Sequence, residues 1–219
     1  MKILLVRHGH TTSNQTGTFT GQENVNLTEI GKEQAKRACE YLLKTYKIDA
    51  IYSSDLVRST DTVKGVAQEL GLKINLDKSL REINGGKWEG KNTKQLLENY
   101  YEDYTAWQKD VGTARATDGE NFVEVGKRAY DGLIEICKRE EKLEKGDKER
   151  TLLLGTHAGV IRSLQCIING VPFEEMGKIP WVSNASITEI EYKNGKVTEL
   201  KRDVNEYLEG INTTLTVFK

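Results

Sequence analysis

Residues 3–9, Ile3-Leu4-Leu5-Val6-Arg7-His8-Gly9, decide the fold, because four apolar residues run directly into two basic side chains and a glycine. A short apolar run with polar residues on both sides is typical of a strand buried on both faces, as in a parallel sheet. Ligands of open parallel sheets bind beyond the carboxyl ends of the strands, which is where Arg7 and His8 stand. The stretch therefore predicts an α/β sheet with a candidate site after its first strand.

Strands and helices alternate along the rest of the chain. Short apolar runs predict further strands at residues 50–53, 74–76 and 151–155. Apolar residues at helical spacing predict helices over about 29–46, 93–110 and 159–168. They also predict a helix that begins at a cap, Ser54 or Asp55, and ends at Leu70, and a longer helix that runs from residue 122 into the charged run near 140–150. The pair Asn194-Gly195 predicts a tight hairpin between residues 187–192 and 197–200, and hence an antiparallel edge on the sheet.

The predicted fold class is α/β, with three α/β/α layers around a mostly parallel sheet, one antiparallel edge strand and a small helical cap. Single domains commonly reach about 200 residues, so we expect residues 1–219 to form one domain. Residues of about 91–150 are assigned to the cap or insertion, and residues 7–27 to a loop.

Composition and charge exclude several kinds of binding partner and cellular location. The chain has 32 basic and 33 acidic side chains and a formal net charge of −1, so no global field attracts nucleic acid or an anionic membrane. No stretch approaches the ~20 apolar residues of a membrane span, and residues 3–6 are too few for a signal-peptide core. The cysteines Cys39, Cys137 and Cys166 lie far apart in predicted helices, which suits neither a disulfide framework nor a metal motif. We therefore expect a cytoplasmic protein with reduced cysteines.

Basic side chains follow three of the predicted strands. Arg7 and His8 end the first, Arg58 lies one turn into the helix after the second, and His157 follows residues 151–155. Two histidines and two arginines at one edge of a sheet form a cationic pocket that fits a dianionic phosphate. The neighbouring guanidinium groups disfavour the imidazolium form, so His8 is expected to be neutral and able to act as a nucleophile.

Four ordered motifs resemble those of the histidine phosphatase superfamily, which includes the cofactor-dependent phosphoglycerate mutases. They are Leu5-Val6-Arg7-His8-Gly9, Ser53-Ser54-Asp55-Leu56-Val57-Arg58-Ser59-Thr60-Asp61-Thr62, Leu80-Arg81-Glu82-Ile83-Asn84-Gly85-Gly86-Lys87-Trp88-Glu89-Gly90 and His157-Ala158-Gly159-Val160-Ile161-Arg162. Asn14 and the segments 19–22 and 27–31 also stand at the family's spacing. The resemblance covers about residues 3–90 and 151–192.

Carried over residue by residue, the resemblance makes His8 the nucleophile that becomes phosphohistidine and Glu82 the proton donor and later acceptor. It also implies a set of phosphate-binding residues: Arg7, Arg58 and His157, with secondary contacts from Asn14, Gln22 and the backbone N–H groups near Gly21 and Ala158. Protein cations would counter the charge on the transferred phosphoryl group, so no metal or other cofactor is expected.

Two features have alternative interpretations. The spacing of His8 and His10 also occurs in metal sites, but Arg7 would repel a cation and no carboxylate cluster is adjacent. We therefore place His10 at the rim or on the surface. The aromatic residues of the predicted cap helix, Tyr100, Tyr101, Tyr104 and Trp107, would pack in the core, or select the organic part of the substrate if the helix overhangs the pocket.

Residues 84–90 are similar to the corresponding segment of the phosphatase branch, which includes broad-specificity and α-ribazole phosphatases. This similarity favours a phosphatase over a mutase. The function we predict is a metal-independent phosphomonoester hydrolase acting on a small phosphorylated metabolite. A phosphoglycerate mutase is the second hypothesis. An inactive phospholigand-binding module is the third, and the presence of His8 and Glu82 counts against it. A homodimer stays open, because an edge strand or an amphipathic helix can build one.

Overall fold

The computed structural model describes residues 1–143 and 149–213, so parts of the expected cap (144–148) and of the C-terminal segment (214–219) lie outside the described residues. The described strands are β1 (Lys2–Arg7), β2 (Ala50–Ser53), β3 (Ile74–Leu76), β4 (Thr151–Thr156), β5 (Ile187–Lys193) and β6 (Lys196–Val204). The described α-helices are α1 (Thr12–Thr16), α2 (Glu29–Thr45), α3 (Val57–Leu70), α4 (Thr93–Asn99), α5 (Tyr101–Lys109), α6 (Phe122–Glu141) and α7 (Ala158–Asn169).

The strands form one sheet in the order β3-β2-β4-β1-β5-β6. Strands β1 to β4 are parallel, and β5 runs antiparallel to both β1 and β6. Arg7 lies opposite Thr156, and Ser53 lies opposite Gly155, so the residues that follow β1, β2 and β4 meet at one edge. The mostly parallel sheet is confirmed, although the antiparallel strand lies one place in from the edge, which β6 occupies.

The alternation of side chains along β1 builds two core layers. Ile3 and Leu5 pack in a cluster with residues of α6 and α7, whereas Leu4 and Val6 pack with residues of α2 and α3. Successive side chains of a strand point to opposite faces, so an uninterrupted apolar run needs helices on both sides. The three-layer α/β/α architecture predicted from the sequence is therefore confirmed.

The predicted helix over 93–110 is two helices, because Tyr100 leaves helical geometry at φ −140° and ψ 42°. The break lets α4 bury Leu96 while α5 turns Tyr104 and Trp107 against the buried Trp88. Helix α6 packs on α7 as part of the helical layer. Within the expected cap of about 91–150 lie α4, α5 and α6, and Trp107 of α5 and Phe122 of α6 line the cavity at the sheet edge.

Two local predictions are wrong. Helix α3 has Leu56 at its N-cap position, with no side-chain cap, because Asp55 is paired with Arg81 and Ser54 turns toward His157. The predicted loop 7–27 contains α1, which starts with a reciprocal pair of hydrogen bonds between Thr11 and residue 14.

Further expectations concern the cysteines and the membrane. Cys137 and Cys166 are buried and Cys39 is half-buried, each as a free thiol in a helix. Among the helices of the described ranges, none combines the length and apolar character needed to cross a bilayer.

Candidate active site

A cavity of about 70 Å³ lies at the sheet edge where β1, β2 and β4 end. Six of the nine predicted site residues line it: Arg7, His8, Asn14, Arg58, Glu82 and Ala158. They come from the end of β1, from α1, from the first turn of α3, from the loop after β3 and from the start of α7. The volume corresponds to roughly two water molecules, each of which takes about 30 Å³ in the liquid, so the cavity has the scale of one phosphoryl group.

Hydrogen bonds fix the ring of His8. Its Nδ1 lies 2.8 Å from the carbonyl oxygen of Gly9, and because a carbonyl accepts but cannot donate, Nδ1 is assigned the proton. The other nitrogen, Nε2, then carries a free lone pair. Burial, and secondly the nearby Arg58 and Arg7, hold the pKa of His8 well below its usual value. The imidazole is therefore neutral at physiological pH, as a nucleophile requires.

The two arginines of the cavity are buried and oriented by backbone carbonyls. Nη1 of Arg7 donates to Val182 (2.6 Å), and Arg58 donates to Glu23 (2.9 Å) and Gly21 (2.6 Å). Burial lowers the pKa of each guanidinium to about 10, which leaves both positively charged near neutral pH. The Nε atoms of both arginines are buried and have no hydrogen-bond partner among the residues that the structure describes. These orphaned donors are what an anion in the cavity would satisfy.

The carboxyl group of Glu82 is held between two backbone N–H groups. Ile83 donates to Oε1 (2.9 Å) and Gly159 donates to Oε2 (3.1 Å). A Cβ atom at Gly159 would stand 2.3 Å from Oε1, so a glycine is required for the carboxyl group to lie there. Burial raises the pKa of Glu82 above its usual value, against the opposing effect of the two hydrogen bonds. The group is thereby tuned toward proton transfer closer to neutral pH.

His157 lies behind His8, with their ring centroids 5.2 Å apart. Its Nε2 is 2.9 Å from Oγ of Ser54, and its Nδ1 is buried without a partner within residues 1–143 and 149–213. The Ser54 hydroxyl also accepts the N–H of Leu56 (3.3 Å), so its own proton is available for Nε2 of His157. This assigns the remaining proton to Nδ1, as a free donor. Burial, and secondly Arg58, hold the pKa of His157 well below its usual value.

The secondary residues are placed differently from one another. Asn14 lines the cavity, where its Oδ1 accepts from the side chain of Asn184 (3.3 Å). Gln22 lies outside the lining and donates to the backbone carbonyl of Glu82 (3.2 Å). The N–H of Gly21 donates to the carboxylate of Glu89 (2.8 Å), so this N–H is engaged rather than open to the cavity, in contrast to the expectation from the sequence.

Sequence reasoning missed several residues that hold the site. Asn184 donates to the carbonyl of His8 (3.1 Å), and Thr62 accepts the N–H of Gly9 (2.9 Å). Arg128 on α6 donates to the carbonyl of Glu82 (2.9 Å). Thr62 ends the second quoted motif, which was a usable signal, whereas Asn184 and Arg128 lie outside the four motifs.

Other candidate sites do not bring the predicted catalytic residues together. A groove of about 1080 Å³ lies between α2 and α3, and the predicted site residues do not line it. His10 is half-buried and bonds to Oγ1 of Thr28 (3.0 Å), away from the cavity lining. Within residues 1–143 and 149–213, no cluster of three or more His, Cys, Asp or Glu side chains is arranged to hold a metal ion.

Comparison with known sequences gives a consistent result. The model of the histidine phosphatase superfamily (branch 1) matches residues 3–205. A metal-independent phosphoserine phosphatase of Arabidopsis thaliana is 32% identical over 199 residues, which cover 89% of this chain and 78% of that protein. A glucosyl-3-phosphoglycerate phosphatase of Mycobacterium tuberculosis is 30% identical, covering 86% and 84% of the two chains.

Solved structures agree with the sequence comparison. Bacillus stearothermophilus YhfR superimposes with a TM-score of 0.86 at 26% identity, covering 95% of this chain and 99% of that one. A mycobacterial glucosyl-3-phosphoglycerate phosphatase in complex with VO3 gives a TM-score of 0.80 at 27% identity, with coverages of 93% and 98%.

Proposed function

The chain belongs to the histidine phosphatase superfamily, and from this premise we propose that it hydrolyses small phosphomonoesters through a phosphohistidine formed on His8. Its relatives include phosphatases of phosphoserine, of glucosyl-3-phosphoglycerate and of α-ribazole, so a phosphoric monoester hydrolase is the activity in keeping with the family. The substrate is a small phosphorylated metabolite.

One observation carries the proposal. The neutral ring of His8, with its proton on Nδ1, and the carboxyl group of Glu82 line the same phosphate-sized cavity together with two cationic guanidinium groups. A nucleophile, a proton donor and charge-countering donors are the three elements that phosphoryl transfer to a side chain needs.

In the first step, Nε2 of His8 attacks phosphorus and the bond from phosphorus to the ester oxygen breaks. The leaving oxygen takes its proton from the carboxyl group of Glu82, so the alcohol departs neutral. The carbonyl of Gly9 keeps the Nδ1 proton and offsets the positive charge that the ring gains. Arg7 and Arg58 donate to the equatorial oxygens, where charge accumulates, and Nδ1 of His157, behind His8 and outside the cavity lining, is a further donor of the site.

In the second step, the Glu82 carboxylate takes a proton from water while the water oxygen attacks phosphorus. The phosphorus–nitrogen bond breaks, its electron pair returns to Nε2, and phosphate leaves. Glu82 is then protonated again for the next cycle. The same residue acts first as acid and then as base, and a pKa raised by burial favours the protonated form that the first step needs.

The test is phosphate release from p-nitrophenyl phosphate in the presence of EDTA. We expect turnover that EDTA does not abolish, and loss of at least about 10³-fold in kcat for His8→Ala, because the covalent route is removed. His10→Ala is the matched control, since His10 lies two residues away and outside the cavity lining, and it should retain the wild-type rate. Turnover that survives in His8→Ala, or that requires an added metal, would contradict the proposal.

A further inference from the structure

Arg162 is a third buried arginine near the site, and the proposed mechanism does not use it. It lies on α7 with 5% of its surface exposed, and its guanidinium stacks 4.1 Å over the ring of Trp181. Its Nη2 donates to the carbonyl of Gly177 (3.1 Å), while its Nε is buried with no partner in the described part of the chain. Across the described ranges, no carboxylate forms an ion pair with it. A buried, unpaired guanidinium is costly unless an anion arrives to bind it.

The position of Arg162 places it beside the reacting group. It follows Ala158, which lines the phosphate-sized cavity, by four residues, so the two share a helix face about 6 Å apart along the axis. Long side chains on a helix point back toward its N-terminus, which here is the site. The Trp181 ring beneath the guanidinium itself lines the phosphate-sized cavity.

A second cavity, next to the phosphate-sized one, has room for the leaving group of a substrate. It has a volume of about 350 Å³, Arg162 lines it, and it shares Trp107 and Trp181 with the phosphate-sized cavity. The latter is too small for a whole metabolite, so the organic part of a substrate must extend beyond it. The two acids on the second cavity do not neutralise Arg162: Asp110 is bonded within its own turn, and Glu174 is exposed.

We propose that Arg162 binds a carboxylate on the leaving group of the substrate, an inference that rests on the proposed phosphatase function. The planar fork of a guanidinium matches a carboxylate in a bidentate geometry, and the stacked Trp181 holds the fork in one plane. The substrate class is therefore a phosphomonoester of a small hydroxy acid, and Arg162 is a specificity-determining residue.

The test compares 3-phosphoglycerate with glycerol 3-phosphate, which carries a hydroxymethyl group where the former has its carboxylate. For the wild type we expect kcat/KM to favour the carboxylate ester by roughly 10- to 100-fold, the range for a hydrogen-bonded charge. Arg162→Met should bring that ratio to within about threefold of one. Arg162→Lys keeps the charge without the fork and should give an intermediate ratio, which decides the question if the Met variant fails to fold.

Lys109→Met is the matched control, because Lys109 is an exposed cation on the same cavity. The wild-type ratio should survive in it. A wild-type ratio near one, a ratio unchanged in the Arg162 variants, or a ratio that collapses in Lys109→Met instead would overturn the inference. If no ester is turned over, p-nitrophenyl phosphate included, the proposed function fails. Calorimetric binding of the two esters then decides: a preference lost in Arg162→Met supports the contact, and equal binding overturns it.

Discussion

The carboxyl group of Glu82 is buried beside His8 and held by the N–H groups of Ile83 and Gly159. If it protonates the leaving oxygen, the need for it depends on how basic that oxygen is. Glu82→Gln should lower kcat/KM for alkyl phosphates by about 10²- to 10⁴-fold and affect p-nitrophenyl phosphate much less, since p-nitrophenolate leaves without a proton. Steady-state kinetics on the two ester types measures this difference. Equal losses on both would show that Glu82 acts by another route.

The same residue sets the pH dependence. The pKa of Glu82 is raised by burial, and the protonated form is the one that donates. For alkyl esters, kcat/KM should therefore fall as pH rises through this raised pKa, and the fall should be absent in Glu82→Gln. His8 contributes no loss of activity in the mildly acidic range, because its pKa lies well below the usual histidine value.

Ser54 sets the proton position on His157. Without the hydroxyl, Nε2 of His157 loses its partner, and the tautomer with Nδ1 protonated is no longer favoured. Ser54→Ala should lower kcat/KM about fivefold, which corresponds to roughly 1 kcal/mol for a neutral hydrogen bond. Ser59→Ala removes a buried hydroxyl that bonds to Ser53, away from His157, and serves as the control. An equal effect on kcat/KM in the two variants would argue against the tautomer role.

At the residue scale, the sequence was sufficient to nominate the groups that line the cavity but not their hydrogen bonds. The pattern of apolar runs predicts that three of them, His8, Arg58 and Glu82, follow a strand or begin a helix at the same sheet edge. The proton on Nδ1 of His8 depends on where the Gly9 carbonyl points. The engagement of the Gly21 N–H by Glu89 joins residues 68 positions apart, which no local pattern reveals.

At the element scale, α6 positions the segment that carries Glu82, the proposed proton donor. Arg128 donates to the carbonyls of Ser79 (2.8 Å), Arg81 (2.7 Å) and Glu82 (2.9 Å), and it pairs with both carboxylate oxygens of Glu120 (2.8 and 2.9 Å). A helix of the core layer thereby holds an otherwise irregular loop. The position of Glu82 thus depends on a residue 46 positions further along the chain.

Arg128→Met should loosen that loop. We expect a loss of about 1–3 kcal/mol in the free energy of unfolding, the range for hydrogen bonds to a charged group. Activity on alkyl phosphates should fall more than activity on p-nitrophenyl phosphate, because the displaced group is the proton donor. Lys127→Met removes the neighbouring cation of α6, whose ion pair with Asp131 is exposed, and should change neither quantity appreciably. Parallel losses on both esters would indicate a general effect on folding instead.

The regular elements were predictable where local chemistry decides them. The hairpin turn has Asn194 at φ 54° and Gly195 at φ 77°, as a turn with two positive φ angles requires, and Gly71 ends α3 at φ 63°. The break at Tyr100 was not predictable, because tertiary packing of α5 against Trp88 outweighs the local helical pattern. The start of α3 was missed for a similar reason: Ser54 and Asp55 bond to distant side chains rather than to their own helix.

At the scale of the whole molecule, a nearly neutral chain concentrates cations at one end of its sheet. The formal net charge is −1, yet Arg7, Arg58 and Arg162 are all buried around two adjoining cavities. The fold supports this arrangement because the ends of β1, β2 and β4 and the starts of α3 and α7 converge there. Composition excludes a global field, and the residues that follow the predicted strands already indicate a local concentration of charge at Arg7 and Arg58, whereas Arg162 is added by the structure.

In the proposed reaction, the phosphoryl group passes through Nε2 of His8. The most direct test of this step is rapid quenching of the protein with a ³²P-labelled phosphomonoester under alkaline conditions, which preserve phosphohistidine, followed by identification of the labelled residue and ring position. With p-nitrophenyl phosphate as the labelled ester, Glu82→Gln should raise the labelled fraction, because p-nitrophenolate still leaves without a proton while hydrolysis of the intermediate is slowed. We expect the label on Nε2 of His8, because the bond to Gly9 keeps Nδ1 protonated. Label on Nδ1, label on another residue, or turnover without a labelled intermediate would contradict it.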